Sequence, residues 1–205
     1  MNIFLENIMR QCKSFRNWKR KEIKIVLLSV IVALVLCVIE ITALVVASPM
    51  MKPAFLLSFL PEDVRLAAKD HPEPPKSKQI LAYLIFSVFI IAMIGGIIYI
   101  GVDGIWNGCG FWKLTLRFMV MLYINKAFDI LVQDQWLVMT VGFYKKIFPE
   151  TAGCEGWKNR GFNNKKQLVR IIAYPFLCMM TAGVFILFWS NKRLEKDLFY
   201  VIILI

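Results

Sequence analysis

Lys126 and Asp129 stand three residues apart inside an apolar run, with Asn125, Gln133 and Asp134 close by. An ionised side chain in hydrocarbon is costly, so residues of these types at such a place face a protein interior or an aqueous cavity. Together an amine, carboxylates and amides can carry an ion or a proton, hold a polar headgroup, or act as acid and base. Helical spacing sets Asn125, Asp129 and Gln133 on one face at four-residue steps, and Lys126 reaches that face three residues from Asp129 and seven from Gln133. Leu122 is assigned outward. The competing reading is a buried polar network that only joins helices, since such groups persist wherever partners satisfy them.

The segment that must position these residues is 111–136, FWKLTLRFMVMLYINKAFDILVQDQW, and the rest of the chain defines its surroundings. Hydrophobic residues make up 59% of the 205, and the mean hydropathy is +0.62. Ordinary soluble domains are nearer 45–50% apolar, so the class is an α-helical integral membrane protein. Long apolar runs predict spans over 23–48, 80–102 and 168–190, each able to cross a hydrocarbon core of roughly 30 Å. The polar connections are 49–79 and 137–167. Pro49, Pro53, Pro61, Pro72, Pro74 and Pro75 punctuate the first, leaving room for a short interfacial helix after Pro61 with Glu62 and Asp63 in its first turn. The run IGVDGIWNGCG reads as a tight, irregular turn. Pro175 is tolerated in the last span if a neighbour satisfies the carbonyl it frees. LFYVIILI at 198–205 is too short to cross as a helix and is expected at the interface or on another subunit.

Whether 111–136 crosses decides the topology. Arg10, Lys13, Arg16, Lys19, Arg20, Lys21 and Lys24 precede or open the first span, which predicts a cytoplasmic N-terminus in the cell membrane. That span is much longer than a signal-peptide apolar core and is expected to be retained. With four spans, twelve basic residues lie inside against eleven outside; with 111–136 not crossing, the split is sixteen to eight. Charge therefore favours three spans. Length favours four, with Lys113 and Arg117 snorkelling at one end and LRFMVMLYI buried in lipid. In the four-span arrangement Glu40 and Asp129 reach similar depths, about 24–26 Å from one face, which makes Lys126 and Asn125 candidate partners for Glu40. The four-span bundle is the preferred expectation.

Other classes are excluded by what is present. The formal charge of +11 comes from basic residues flanking apolar spans, where headgroups and insertion topology account for it, so nucleic acid is not an expected partner. Five cysteines include no Cys-x-x-Cys pair, which argues against a dithiol redox enzyme. His71 is the only histidine, which removes metal sites built from several histidines; no metal site and no cofactor is implied. Lys158, Arg160, Lys165 and Lys166, in a glycine- and asparagine-rich stretch, are candidates for an anionic lipid headgroup. Trp106, Trp112, Trp136, Trp157 and Trp189 all fall near span ends, where amphipathic rings belong.

The expectation is thus a small all-α polytopic membrane bundle with three to four spans and at least one interfacial helix. Its site candidates are Glu40, Asn125, Lys126, Asp129, Gln133 and Asp134. Membrane lipids, a second copy or other membrane subunits are the expected partners. Transport, or a place in a membrane complex, is the leading function. One alternative is a lipid-headgroup enzyme with Asp129 or Asp134 as acid and base and Lys126 stabilising an anion; the other is a purely structural subunit.

Overall fold

The computed structural model describes the backbone of residues 2–203 and the side chains of residues 23–188. In chain order the α-helices are α1 (Asn2–Ala47), α2 (Pro53–Leu57), α3 (Glu62–Ala67), α4 (Lys76–Trp106), α5 (Phe111–Phe128), α6 (Phe143–Ile147) and α7 (Asn164–Ile203). A π-helix, Asp129–Thr140, continues α5 without a break. No strand occurs among the described residues. The basic N-terminal side chains up to residue 22, Trp189, and the side chains of the 198–205 segment lie outside the described residues.

Three stretches are long and apolar enough to cross a membrane: Ile23–Met50, Lys76–Trp106 and Asn164–Phe188. Large apolar side chains cover their outer faces, including Val38, Ile91, Phe176 and Leu187, all more than 60% exposed. Water penalises such a surface and lipid does not, so these helices suit a hydrocarbon surround. α5 has the opposite character. Leu114, Arg117, Phe118, Met121, Asn125 and Lys126 are buried along it, because α1, α4 and α7 pack around it. An interior helix can carry charge where an outward-facing one cannot.

Side-chain contacts fix the directions. Ser29 of α1 meets Arg117, Cys37 meets Asn125, and Ala47 shares a buried cluster with Val138 beyond α5, so α1 and α5 run parallel. α4 runs against α1, with Gly96 facing Val32 and Leu36, where an added Cβ would lie 3.0 Å from Leu36 Cδ1. α7 runs against α5, from Gln167 beside Asp134 to Phe185 beside Phe118. Gly101 lies directly under the Phe185 ring, which lets α7 approach α4.

The glycine-rich stretch is helical further than its composition predicts. Gly101 and Gly104 belong to α4, and the reversal occupies only Asn107–Gly110. Gly108 carries the turn with φ +72°, a left-handed conformation that glycine adopts without steric cost. Inside α7, Pro175 removes the donor for the carbonyl four residues earlier, Ile171. The Tyr123 hydroxyl donates to that oxygen at 2.9 Å, so the freed acceptor is satisfied across the helix interface.

Both polar connections attach to the same end of the bundle and fold together as a cap. Met51, Leu56, Val64, Phe148 and Trp157 share its apolar cluster. Asp63 Oδ2 accepts the Gly156 N–H at 2.6 Å, and Trp157 Nε1 donates to the Thr151 carbonyl at 2.7 Å. His71 joins the two connections through Glu150 Oε1 at 2.7 Å and stands edge-on to Phe148. One expectation changes here. Trp157 is 5% exposed in the cap core rather than at a span end, because its indole N–H finds a backbone acceptor there; Trp106, Trp112 and Trp136 are exposed.

Candidate functional site

Where α5 passes into the π-helix, hydrogen bonding shifts to i→i+5, as in the 2.8 Å bond from Val141 N to the Trp136 carbonyl. π-helical turns are rare, and they concentrate at functional sites. The wider turn has a direct consequence for side chains: residues four and five apart both come near one side. Asp129, Gln133 and Asp134 therefore share a face, and Asn125 and Lys126 extend it back into α5.

Lys126 is 4% exposed, and its Nζ is ion-paired with Asp129 Oδ2. Asp134 Oδ2 accepts from Gln167 Nε2 at 2.7 Å and from Asn163 Nδ2 at 3.1 Å, and Gln167 also reaches Asp129 Oδ2 at 3.5 Å. Removing a charged group from water is tolerable only with such partners. Asn125 donates to the Met121 carbonyl at 2.9 Å and accepts from the Cys37 thiol at 3.4 Å. Glu40 neighbours Gln133, with Lys126 and Asp129 in electrostatic range. Gln133 is only 8% exposed; its amide interacts with the Glu40 carboxylate although Nε2 makes no hydrogen bond of full geometry, and Oε1 of the buried Gln167 has no partner. A buried, unpartnered amide costs about 1–3 kcal/mol.

Glu40, Asn125, Lys126, Asp129, Gln133 and Asp134 all line one cavity of about 360 Å³. Its opposite wall is apolar, with Phe55 and Phe59 from the cap and Phe86, Phe89 and Met93 from α4. Leu122 also lines it, so Leu122 is not an outward residue; Leu116 and Leu131 are, at 52% and 65% exposure. Tyr144 of α6 stands at the cap end, where burial holds its phenol above the usual pKa. Two groups were absent from the sequence-derived set: Gln167 with Asn163, and Arg170 on the same helix. Asn163 and Gln167 sit four residues apart, the spacing that places both on one face at the start of α7.

A second polar cluster lies toward the other end of the bundle. Arg117 is 1% exposed; its Nη2 pairs with Asp103 Oδ2 at 2.6 Å and its Nε donates to Ser29 Oγ at 3.2 Å. Asp103 also accepts from Asn107 Nδ2 at 3.0 Å. Arg117 therefore does not snorkel. The tight turn after α4 brings Asp103 within reach, and pairing inside replaces solvation outside. This cluster ties α1, α4 and α5 together and does not line the cavity.

The basic candidates are dispersed. Lys158 and Lys166 line a separate vestibule in the cap, and Lys158 is ion-paired with Glu155 at 3.1 Å. Arg160 contributes its carbonyl to Gln135 Nε2, and Lys165 is exposed. No group of three or more His, Cys, Asp or Glu positioned to hold a metal occurs among the described residues. No protein family, characterised protein or solved structure matches the chain.

Proposed function

We propose that the chain is an integral membrane protein that binds a lipid-like amphiphile in the inner cavity and passes it between the bilayer and the capped end of the bundle. The observation that carries this reading is the pairing of two unlike walls. Phe86, Phe89 and Met93 face Lys126, Asp129 and Gln133 across one cavity among helices that suit a lipid surround. Apolar walls with a few convergent polar groups are the usual make-up of small-molecule sites. An apolar chain against the aromatic side and a polar head against the π-helix face would satisfy both, and the Gln133 amide, which makes no hydrogen bond of full geometry, would gain an acceptor.

The test is transfer of a fluorescent phosphatidylglycerol across vesicles of phosphatidylethanolamine and phosphatidylglycerol containing the purified protein. An impermeant quencher reads the outer leaflet, and chromatography reads whether the lipid stays intact. The wild type is expected to move intact lipid. Leu122→Trp, which fills the cavity, should abolish movement, while the outward Leu131→Trp should not. Movement unaffected by Leu122→Trp, or absent from the wild type, contradicts the proposal. A headgroup enzyme using Asp129 or Asp134 occupies the same cavity, and altered lipid in place of transfer would favour it.

A further inference from the structure

The cap holds a vestibule of about 800 Å³, more than twice the inner cavity, and the two share Phe59, Leu60, Phe162 and Asn163 in their walls. These four residues, two from each polar connection, stand between the inner cavity and the vestibule. Asn163 stands on both sides of it: it lines both cavities and donates to Asp134 of the polar face.

The vestibule's chemistry differs from that of a phosphate site. Its acids, Glu62, Asp63 and Glu155, equal in number its bases, Arg65, Lys158 and Lys166. The bases are partly spoken for, since Arg65 pairs with Glu62 at 3.5 Å and Lys158 with Glu155 at 3.1 Å. The same pairs occupy Glu62 and Glu155, and Asp63 accepts the Gly156 N–H, so the lining is neutral overall and offers a charged head no surplus of opposite charge. Hydroxyl groups both donate and accept, so they suit a lining of carboxylates and amides such as Asn159 and Asn163. Phe59 and Phe162 add apolar ring faces at the partition.

We infer that the vestibule receives a bulky, uncharged, hydroxyl-rich headgroup, that of a glycolipid, whose chain lies in the inner cavity. The inference rests on the amphiphile reading above and adds its headgroup class. The geometry agrees: the vestibule is wide and open to solvent, so it can admit a bulky head, while one chain reaching past Phe59 and Phe162 enters the narrower inner cavity.

The experiment uses three photoactivatable lipids with the same chain-borne probe and different heads: diglucosyl-diacylglycerol, phosphatidylglycerol and phosphatidic acid. Each is presented to the full-length protein in phosphatidylcholine nanodiscs, and labelled peptides are mapped. The diglucosyl lipid is expected to label the Phe86–Met93 wall roughly tenfold more than the others, the equivalent of about one hydrogen bond and one ring contact. Asn159→Ala and Phe162→Ala should remove that preference while leaving chain labelling of the wall, which also shows that the variants fold. Free maltose at matched concentration should not displace the lipid. Equal labelling by all three lipids, or preference for either anionic head, overturns the headgroup inference and leaves the amphiphile site standing. Displacement by maltose overturns the joined site. No labelling of the wall by any lipid rejects the amphiphile reading itself.

Discussion

Replacing Asp103 with alanine tests the packing logic of the bundle most sharply. Arg117 is 1% exposed, and Asp103 supplies its only ionic partner among the described contacts. Without it the guanidinium keeps only Ser29 Oγ at 3.2 Å, and its Nη1 already lacks a partner. Breaking a buried ion pair from one side costs about 3–5 kcal/mol, and the 25% exposure of the Asp103 side chain places this case near 3. Arg117→Met should cost less, about 1–2 kcal/mol, because Asp103 retains Asn107 and some solvent. For a chain of this size each kcal/mol moves a melting midpoint by roughly 2–4 °C. Asp103→Ala should therefore lower the midpoint by about 6–12 °C and Arg117→Met by about 2–8 °C. The double variant should lose less than the sum, with a coupling of about 1–3 kcal/mol. A thiol-reactive dye reads unfolding in detergent directly, since Cys37, Cys109 and Cys178 are buried. An Asp103→Ala midpoint within about 1 °C of wild type, or strictly additive losses, would refute the pairing as a structural lock.

Other substitutions probe separate parts. Gly104→Val should destabilise strongly, because even a Cβ would stand 2.7 Å from Leu114 Cδ1 and 3.0 Å from Arg117 Nη1; Gly95→Ala, with open space around it, should be neutral or stabilise by up to about 1 kcal/mol, and the same dye assay separates them. Asp63→Ala removes the acceptor of the Gly156 N–H and should speed amide exchange over 149–158 while leaving α4 protected; uniform exchange rates in both would contradict the cap architecture. Lys126→Met should impair lipid transfer far more than Leu116→Ala, whose side chain faces outward, and equal transfer by both variants would remove Lys126 from the site.

The charges of α5 were legible because composition alone marks an apolar helix that carries ions it cannot expose to lipid. The face they occupy was legible only in part. Four-residue spacing groups Asn125, Asp129 and Gln133, but Asp134 joins them through the π-helical register, which has no simple sequence signature. Depth sets Glu40 beside Lys126 and Asn125; in the structure all three line one cavity and Lys126 is in electrostatic range of Glu40, while Gln133 is its hydrogen-bonding neighbour and Asn125 turns to Cys37. Depth along a helix fixes level, not azimuth. Length and flanking position predict a snorkelling Arg117 because they give no sign of Asp103, whose approach depends on a turn confined to Asn107–Gly110. The two polar connections were legible as segments but not as partners, since the Asp63–Gly156 and His71–Glu150 contacts join residues far apart in the chain.

The central claim is that the space between the Phe86–Met93 wall and the Lys126–Gln133 face belongs to a lipid chain and its polar head. An experimental map of the protein in nanodiscs of phosphatidylethanolamine, phosphatidylglycerol and diglucosyl-diacylglycerol tests it most directly. Elongated density running along Phe86 and Phe89, with its head at Gln133 and Asn163, is the predicted result. A cavity closed by the phenylalanines packing onto the polar face, with no density between the two walls, would contradict it.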